Sequence, residues 1–263
     1  MSINFFNAFT FMFKEKNWFV KFLIGALLFF FIKLIALAMD IIHTDTLPTL
    51  NFNLFNENSP VMLIALYTGA LLLLVLSIWM HATSLGYIIT TIRRYMRGEE
   101  DIIPDWDDVM GKLFRRGFKA FIAIFIYISA ISIFATGAYT FATLALIFSP
   151  FATMLIFLVA SFVIVYSLLL IPALLLSYCE KDRFLAAFNF VRARQIMLKS
   201  IGKYVLALIM LLAVIIFSAI ISITLFQAKI GILILPVLCF YLFIVKGNIL
   251  AQYYVATHDT AAN

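Results

Sequence analysis

The chain has 263 residues, 65% of them hydrophobic and 12% charged, where an ordinary soluble domain is about 45–50% apolar and about 25% charged. With a mean hydropathy of +1.10, this composition excludes a soluble enzyme, a nucleic-acid binder and a disordered chain, and predicts an all-α polytopic membrane protein. The net charge of +6 then reads as orientation in a membrane and attraction to anionic lipid rather than affinity for nucleic acid.

A membrane span needs about 20 mostly apolar residues. The chain opens on an amphipathic stretch, 3–16, where Phe6, Phe9 and Phe13 oppose Asn7, Thr10 and Lys14. The first span follows over 22–42. Its end, Ala36-Leu37-Ala38, looks like a signal-peptidase site, but the run exceeds a signal core of about 7–15 residues and Lys33 interrupts it, so a retained span is predicted. The second span covers 61–89. In 105–116, Trp106, Val109, Met110 and Leu113 repeat at helical spacing, continuing to Gly117, opposite Asp107, Asp108, Lys112 and Arg115. Spans three and four cover 118–139 and 151–178, with 138–149 read either as a short extra helix or as the end of a long tilted one. In 183–199, Phe184, Ala187, Phe188 and Val191 oppose Asn189, Arg192 and Lys199. Spans five and six cover 204–226 and 230–253. The three amphipathic stretches read as helices lying in the interface plane. Each precedes two spans, which predicts a threefold repeat of in-plane helix plus transmembrane hairpin within a single membrane domain over 1–263.

Of the 19 Lys and Arg, all but Lys33 and Lys229 fall on one side of these spans. The excess of positive charge on cytoplasmic loops places both termini in the cytoplasm, in the inner membrane of a prokaryote. Arg93, Arg94, Arg97, Arg115, Arg116, Arg192 and Arg194 become candidate contacts for anionic headgroups. Cys179 and Cys239 have no metal-site spacing, and a structural disulfide is not expected.

Ionisable groups inside a span are candidates for function. Lys33 lies in the outer half of the first span, seven residues before Asp40 and free to reach outward. His81 lies in the inner half of the second, where a neutral ring bonded to a Ser, a Thr or a carbonyl is the simpler reading. The acidic run Glu99, Glu100, Asp101, Asp105, Asp107 and Asp108 has two readings: paired carboxylates holding Mg²⁺ with a phosphate, or acids complementing a helix start. No His lies beside it and no phosphate-binding loop follows, which favours the second. Trp106 is expected as an interfacial anchor, Gly86 as a point of close helix packing, and Tyr87 near the headgroups. Pro172 and Pro236 should kink their helices, freeing the carbonyls of Leu168 and Ile232.

The segments Gly86-Tyr87, Arg93-Arg94, Gly98-Glu99-Glu100, Pro104-Asp105-Trp106-Asp107-Asp108 and Gly117-Phe118-Lys119, with Lys246-Gly247-Asn248 to Gln252-Tyr253-Tyr254 near the end, carry a resemblance. They resemble a widespread prokaryotic family of polytopic membrane proteins catalogued as a domain of unknown function. The architecture is also similar to the membrane domain beside some glycerophosphodiester phosphodiesterases. The resemblance spans the chain from about Trp18 and implies an interfacial motif of Gly86, Tyr87, Pro104 and Trp106, without catalytic residues to transfer. The expectation is a non-catalytic integral membrane protein without cofactor or metal, a subunit or scaffold with a protein partner or a second copy of itself. The alternative is a transporter or lipid-handling protein using Lys33 and the basic in-plane helices; a lipid-phosphate enzyme built on the acidic run is the remaining option.

Overall fold

The computed structural model describes residues 3–43, 60–106, 109–227 and 231–258. Among these the regular structure is all helical, with no strand. Helix α1 is Phe5–Thr10, capped by the Asn4 side chain, and a 3-10 turn, Phe11–Lys14, continues it. The long helices are α2, Trp18–His43; α3, Pro60–Met96; α4, Phe114–Leu146; and α5, Pro150–Lys181. After α5 come a 3-10 turn, Phe184–Phe188, then α6, Phe190–Lys199, α7, Ile201–Gln227, and α8, Gly231–His258. Five of these helices are long and apolar enough to cross a membrane, and Trp18–Ile32 of α2 is a shorter apolar stretch.

Local chemistry sets the boundaries. Ser149 accepts the amide of Ala152 and Pro150 occupies the first position of α5, so 138–149 is no separate helix: α4 runs unbroken to Leu146, and a short turn leads into α5. Helix α5 ends where Asp182 takes a left-handed conformation, φ 54, which Asp tolerates better than most residues. Asn189 caps α6 by accepting the amide of Arg192. The described part of 105–116, expected as an in-plane helix, is divided between non-helical chain and the turn that leads into α4. Pro104 and Asp105 are non-helical, residues 107–108 lie outside the described residues, and Val109–Leu113 is a π turn running directly into α4.

The reason is close backbone contact between α3 and α4. A Cβ at Gly86 would stand 1.8 Å from the Leu113 carbonyl oxygen, and one at Gly117 would stand 1.6 Å from that of Ala82. Only glycine allows two helices to touch in this way. The crossing holds 113–117 against α3.

Helix α8 is the centre of the bundle. Phe240, Leu242, Ile244, Ile249, Ala251 and Tyr253 are each at most 2% exposed, and α2, α3 and α7 pack around it. Helices α4 and α5 pair with each other and join this core through α3. Their apolar side chains divide by position. On α4 the exposed ones run from Phe125 to Leu146, Phe118 apart; on α5 they run from Phe151 to Leu169. At about 1.5 Å per residue these stretches are roughly 30 Å long, the thickness of a bilayer's hydrocarbon layer. Beyond them, toward the basic end, side chains such as Ala120, Leu170, Ala173, Leu176 and Tyr178 are buried. The helices thus outrun a bilayer and pack their surplus length into a core at that end.

The helix-interior prolines are accommodated within continuous helices. Around Pro172, the neighbouring carbonyls of Ser167 and Leu169 accept the hydroxyls of Tyr127 from α4 and Tyr204 from α7. Two tyrosines thus stitch the proline-weakened turn to its neighbours.

Candidate functional site at the basic end

The segment after α3 folds back over the ends of α2 and α3. Gly98, at φ +66, begins the reversal, and Ile103, Pro104 and Trp106 are buried beneath it. Trp106 inserts into the bundle: its ring stacks on Tyr87 at 4.3 Å and 16°, both rings meet Phe240 of α8, and its indole N–H donates to the Lys21 carbonyl at 2.7 Å. Trp106 and Tyr87 are 8% and 0% exposed. Neither meets lipid headgroups, contrary to expectation. A large aromatic with a single N–H donor suits a dry pocket as well as an interface once one carbonyl receives it.

Beside this stack lies a buried ionic cluster. Lys21 donates to the Ile103 carbonyl at 2.8 Å and pairs with Glu15 at 3.3 Å and Asp105 at 3.2 Å. Glu15 also accepts the Ile103 amide. The ammonium and the Glu15 carboxylate are 9% and 6% exposed, against 63% for Asp105. Arg94 completes the arrangement by donating to the carbonyls of Asp101 and Ile103. The 97–106 segment is therefore fastened to α2 and α3 by charge as well as by Trp106. The Tyr87 hydroxyl, buried there, has no hydrogen-bond partner among the described residues.

A second cluster joins α3, α4 and α5. Asp182 takes Arg93 at 2.9 Å and Arg116 at 3.3 Å, and Arg116 also donates to Thr90. The Tyr178 hydroxyl donates to the Arg116 carbonyl at 3.0 Å. A third ties α6 back to α5: Arg192 grips Glu180 with two donors at 2.7 and 3.0 Å, and this hydrogen-bonded carboxylate raises the Arg192 guanidinium above its ordinary pKa. Farther along, Lys203 donates to the Ala256 carbonyl, the Asn4 amide donates to Gln252, and Tyr241 and Tyr253 donate to the carbonyls of Phe9 and Ile196. These contacts gather the first and last described helices and the basic residues they involve at one end of the bundle.

Arg93 lies inside the protein, 6% exposed, where a headgroup contact was expected; its charge serves Asp182. Arg94, Arg116 and Arg192 are half-buried and engaged within the chain. Arg97 pairs with Glu99 at the surface, while Arg115 and Arg194 are exposed. The acidic run is dispersed, Glu99 beside Arg94 and Arg97 and Asp105 on Lys21; Asp107 and Asp108 lie outside the described residues. His81 is on the outer surface of α3 and bonds the Ser77 carbonyl of its own helix at 2.8 Å. Lys33 belongs to α2, and its side chain lies outside the described residues. Cys179 is buried and Cys239 half-buried, and no disulfide joins them.

Residues 69–227 match the family model described as Protein of unknown function (DUF4013). The chain belongs to the DUF4013 family. Comparison with curated proteins and with solved structures gives no match. The matched stretch takes in the Gly86–Gly117 crossing, the Tyr87–Trp106 stack and the Arg93–Asp182–Arg116 cluster. Lys21, Glu15 and Phe240, which complete the stack's pocket, lie outside it. For this DUF4013 protein, sequence reasoning missed Glu15, Lys21 and Asp182 as participants. Asp182 carried a signal, being the single acid between Lys181 and Arg183 in a basic linker. Lys21 carried none, because a lysine before a span reads first as an orientation charge.

Proposed function

We propose that this DUF4013 protein is a non-catalytic subunit or scaffold of a membrane assembly, with six spans and both termini in the cytoplasm of a prokaryotic cell. The observation that carries the reading is how charge and apolar surface are divided. The buried charges at the basic end serve one another or backbone carbonyls, as in Lys21–Glu15 and Arg93–Asp182. The outer lengths of α4, α5 and α7 meanwhile present long apolar faces, with Ile133, Phe141, Phe151, Phe162 and Ile223 each more than 60% exposed. A rigid cytoplasmic core holding open apolar helices suits docking of other spans by packing within the bilayer. The resemblance to membrane domains that stand beside glycerophosphodiester phosphodiesterases fits a membrane part that works next to a separate enzyme.

Gentle extraction from the native membrane, followed by identification of co-purifying polypeptides, tests this. A stoichiometric partner whose removal destabilises the chain is expected. A chain that extracts alone and is stable alone overturns the proposal. A second reading, lipid handling, is favoured by Arg194, which is exposed beside α5 while its neighbour Arg192 is held by Glu180.

A further inference from the structure

Between α4, α5 and the start of α6 lies a groove of about 520 Å³, within the range of ligand-binding clefts. Tyr127 and Phe134 form one wall, Val163 and Ser167 the other, and Phe190 and Arg194 of α6 close the end. The lining is mostly apolar. The Tyr127 hydroxyl is already given to the Ser167 carbonyl at 2.9 Å, and its ring lies 5.8 Å from that of Phe190. Arg194 is exposed. Its neighbour Arg192 has taken Glu180, Asp182 serves Arg93 and Arg116, and among the described residues no carboxylate pairs with Arg194. The mouth of the groove therefore carries an uncompensated guanidinium. It sits where the exposed apolar stretches of α4 and α5 begin, at Phe125 and Leu169.

We propose that this groove binds one anionic phospholipid, its phosphate on Arg194 and an acyl chain between α4 and α5. The chemistry is complementary at both ends. A guanidinium fork matches phosphate oxygens with two parallel hydrogen bonds, and Ile131, Phe134 and Val163 offer hydrocarbon to hydrocarbon. Length favours a lipid over a partner's helix. From Tyr127 to Phe134 the groove runs roughly 10 Å at about 1.5 Å per residue, a third of the roughly 30 Å along which a spanning helix would seek contact. Phospholipid binding here is independent of whether the chain also serves as a subunit.

The experiment uses the full chain reconstituted into phosphatidylcholine bilayers with a minor fraction of phosphatidylglycerol, then released intact and weighed by native mass spectrometry. The wild type is expected to retain one phosphatidylglycerol in excess of its share of the bilayer. Arg194→Gln should lower that preference about tenfold, the loss of one charge-assisted contact. Arg194→Lys should keep part of it, having the charge without the fork. Ala130→Trp, which fills the groove, should abolish it, while Arg115→Gln, at an exposed arginine elsewhere, should leave it intact. The proposal is overturned if Arg194→Gln retains the wild-type preference, if Arg115→Gln lowers it equally, or if the retained species is a polypeptide. Circular dichroism of each variant checks folding, and the Arg194 pair decides the matter even if Ala130→Trp does not assemble.

Discussion

Replacing Lys21 by Met removes the cation at the centre of the first cluster while keeping the length and apolar character of its stem. Three contacts are lost, and they are unequal. The pair with Asp105 involves a carboxylate 63% exposed, and such pairs are worth about 0–1 kcal/mol. The bond to the Ile103 carbonyl is partly replaced, because Arg94 donates to the same oxygen at 3.2 Å. The decisive loss is at Glu15, whose side chain is 6% exposed and would remain buried without its counter-ion. Breaking a buried pair on one side costs about 3–5 kcal/mol; the Ile103 amide still bonds Glu15, so the lower end, about 3 kcal/mol, is expected. Adding Glu15→Gln, which keeps an acceptor for that amide and removes the stranded charge, should recover at least half. The assay is unfolding by SDS in mixed micelles, read by tryptophan fluorescence, with tryptic cleavage after Arg97 reporting release of the 97–106 segment. A loss below about 1 kcal/mol for Lys21→Met, or no recovery in the double variant, would refute the assignment of this cluster as the fastening.

Gly117→Ala should destabilise by at least about 1–3 kcal/mol or prevent assembly, since its Cβ would meet the Ala82 carbonyl at 1.6 Å, whereas Gly137→Ala, with open space around it, should be neutral or slightly stabilising in the same SDS titration. Asp182→Asn should cost about 3 kcal/mol by stranding Arg93; Asn tolerates the left-handed backbone at φ 54, so equal stability would mean the charge is not needed. Tyr87→Phe should be neutral or stabilising, because its hydroxyl is buried without a partner among the described residues. Tyr127→Phe, which takes a donor from the Ser167 carbonyl, should cost about 1 kcal/mol; thermal unfolding of the two side by side checks the contrast.

The spans could be read from the sequence because hydropathy is a local property: a run such as Phe151 to Leu169 is apolar whatever it packs against. Their ends could not. Where a helix outruns the bilayer, buried core and lipid-facing surface are equally apolar, so Leu174 and Leu158 look alike in sequence while one is buried and the other exposed. The same ambiguity misplaced Trp106 and Tyr87. A tryptophan beside basic residues fits an interface, and only the Phe240 ring, more than 130 residues away, and the Lys21 carbonyl make it a core residue. Gly86 was readable as a close-packing site, but its counterpart Gly117 was assigned to a helix face, since nothing local says which two glycines meet.

The central position of α8 has a consequence for how the protein comes to be. Synthesis runs from α1 towards α8, so the helix around which α2, α3 and α7 pack is the last of them to enter the membrane. Contacts such as Asn4 with Gln252 and Phe9 with Tyr241 join residues 248 and 232 positions apart. Until α8 arrives, Phe240 is missing from the Trp106 pocket and Tyr253 from the α6 carbonyl it bonds. The earlier helices must wait in the bilayer as separately stable spans, which a membrane permits because each satisfies its own backbone. A ribosome-tethered chain stopped before α8 should therefore be inserted yet open to protease between α3 and α4, and acquire resistance in one step when the final helix joins.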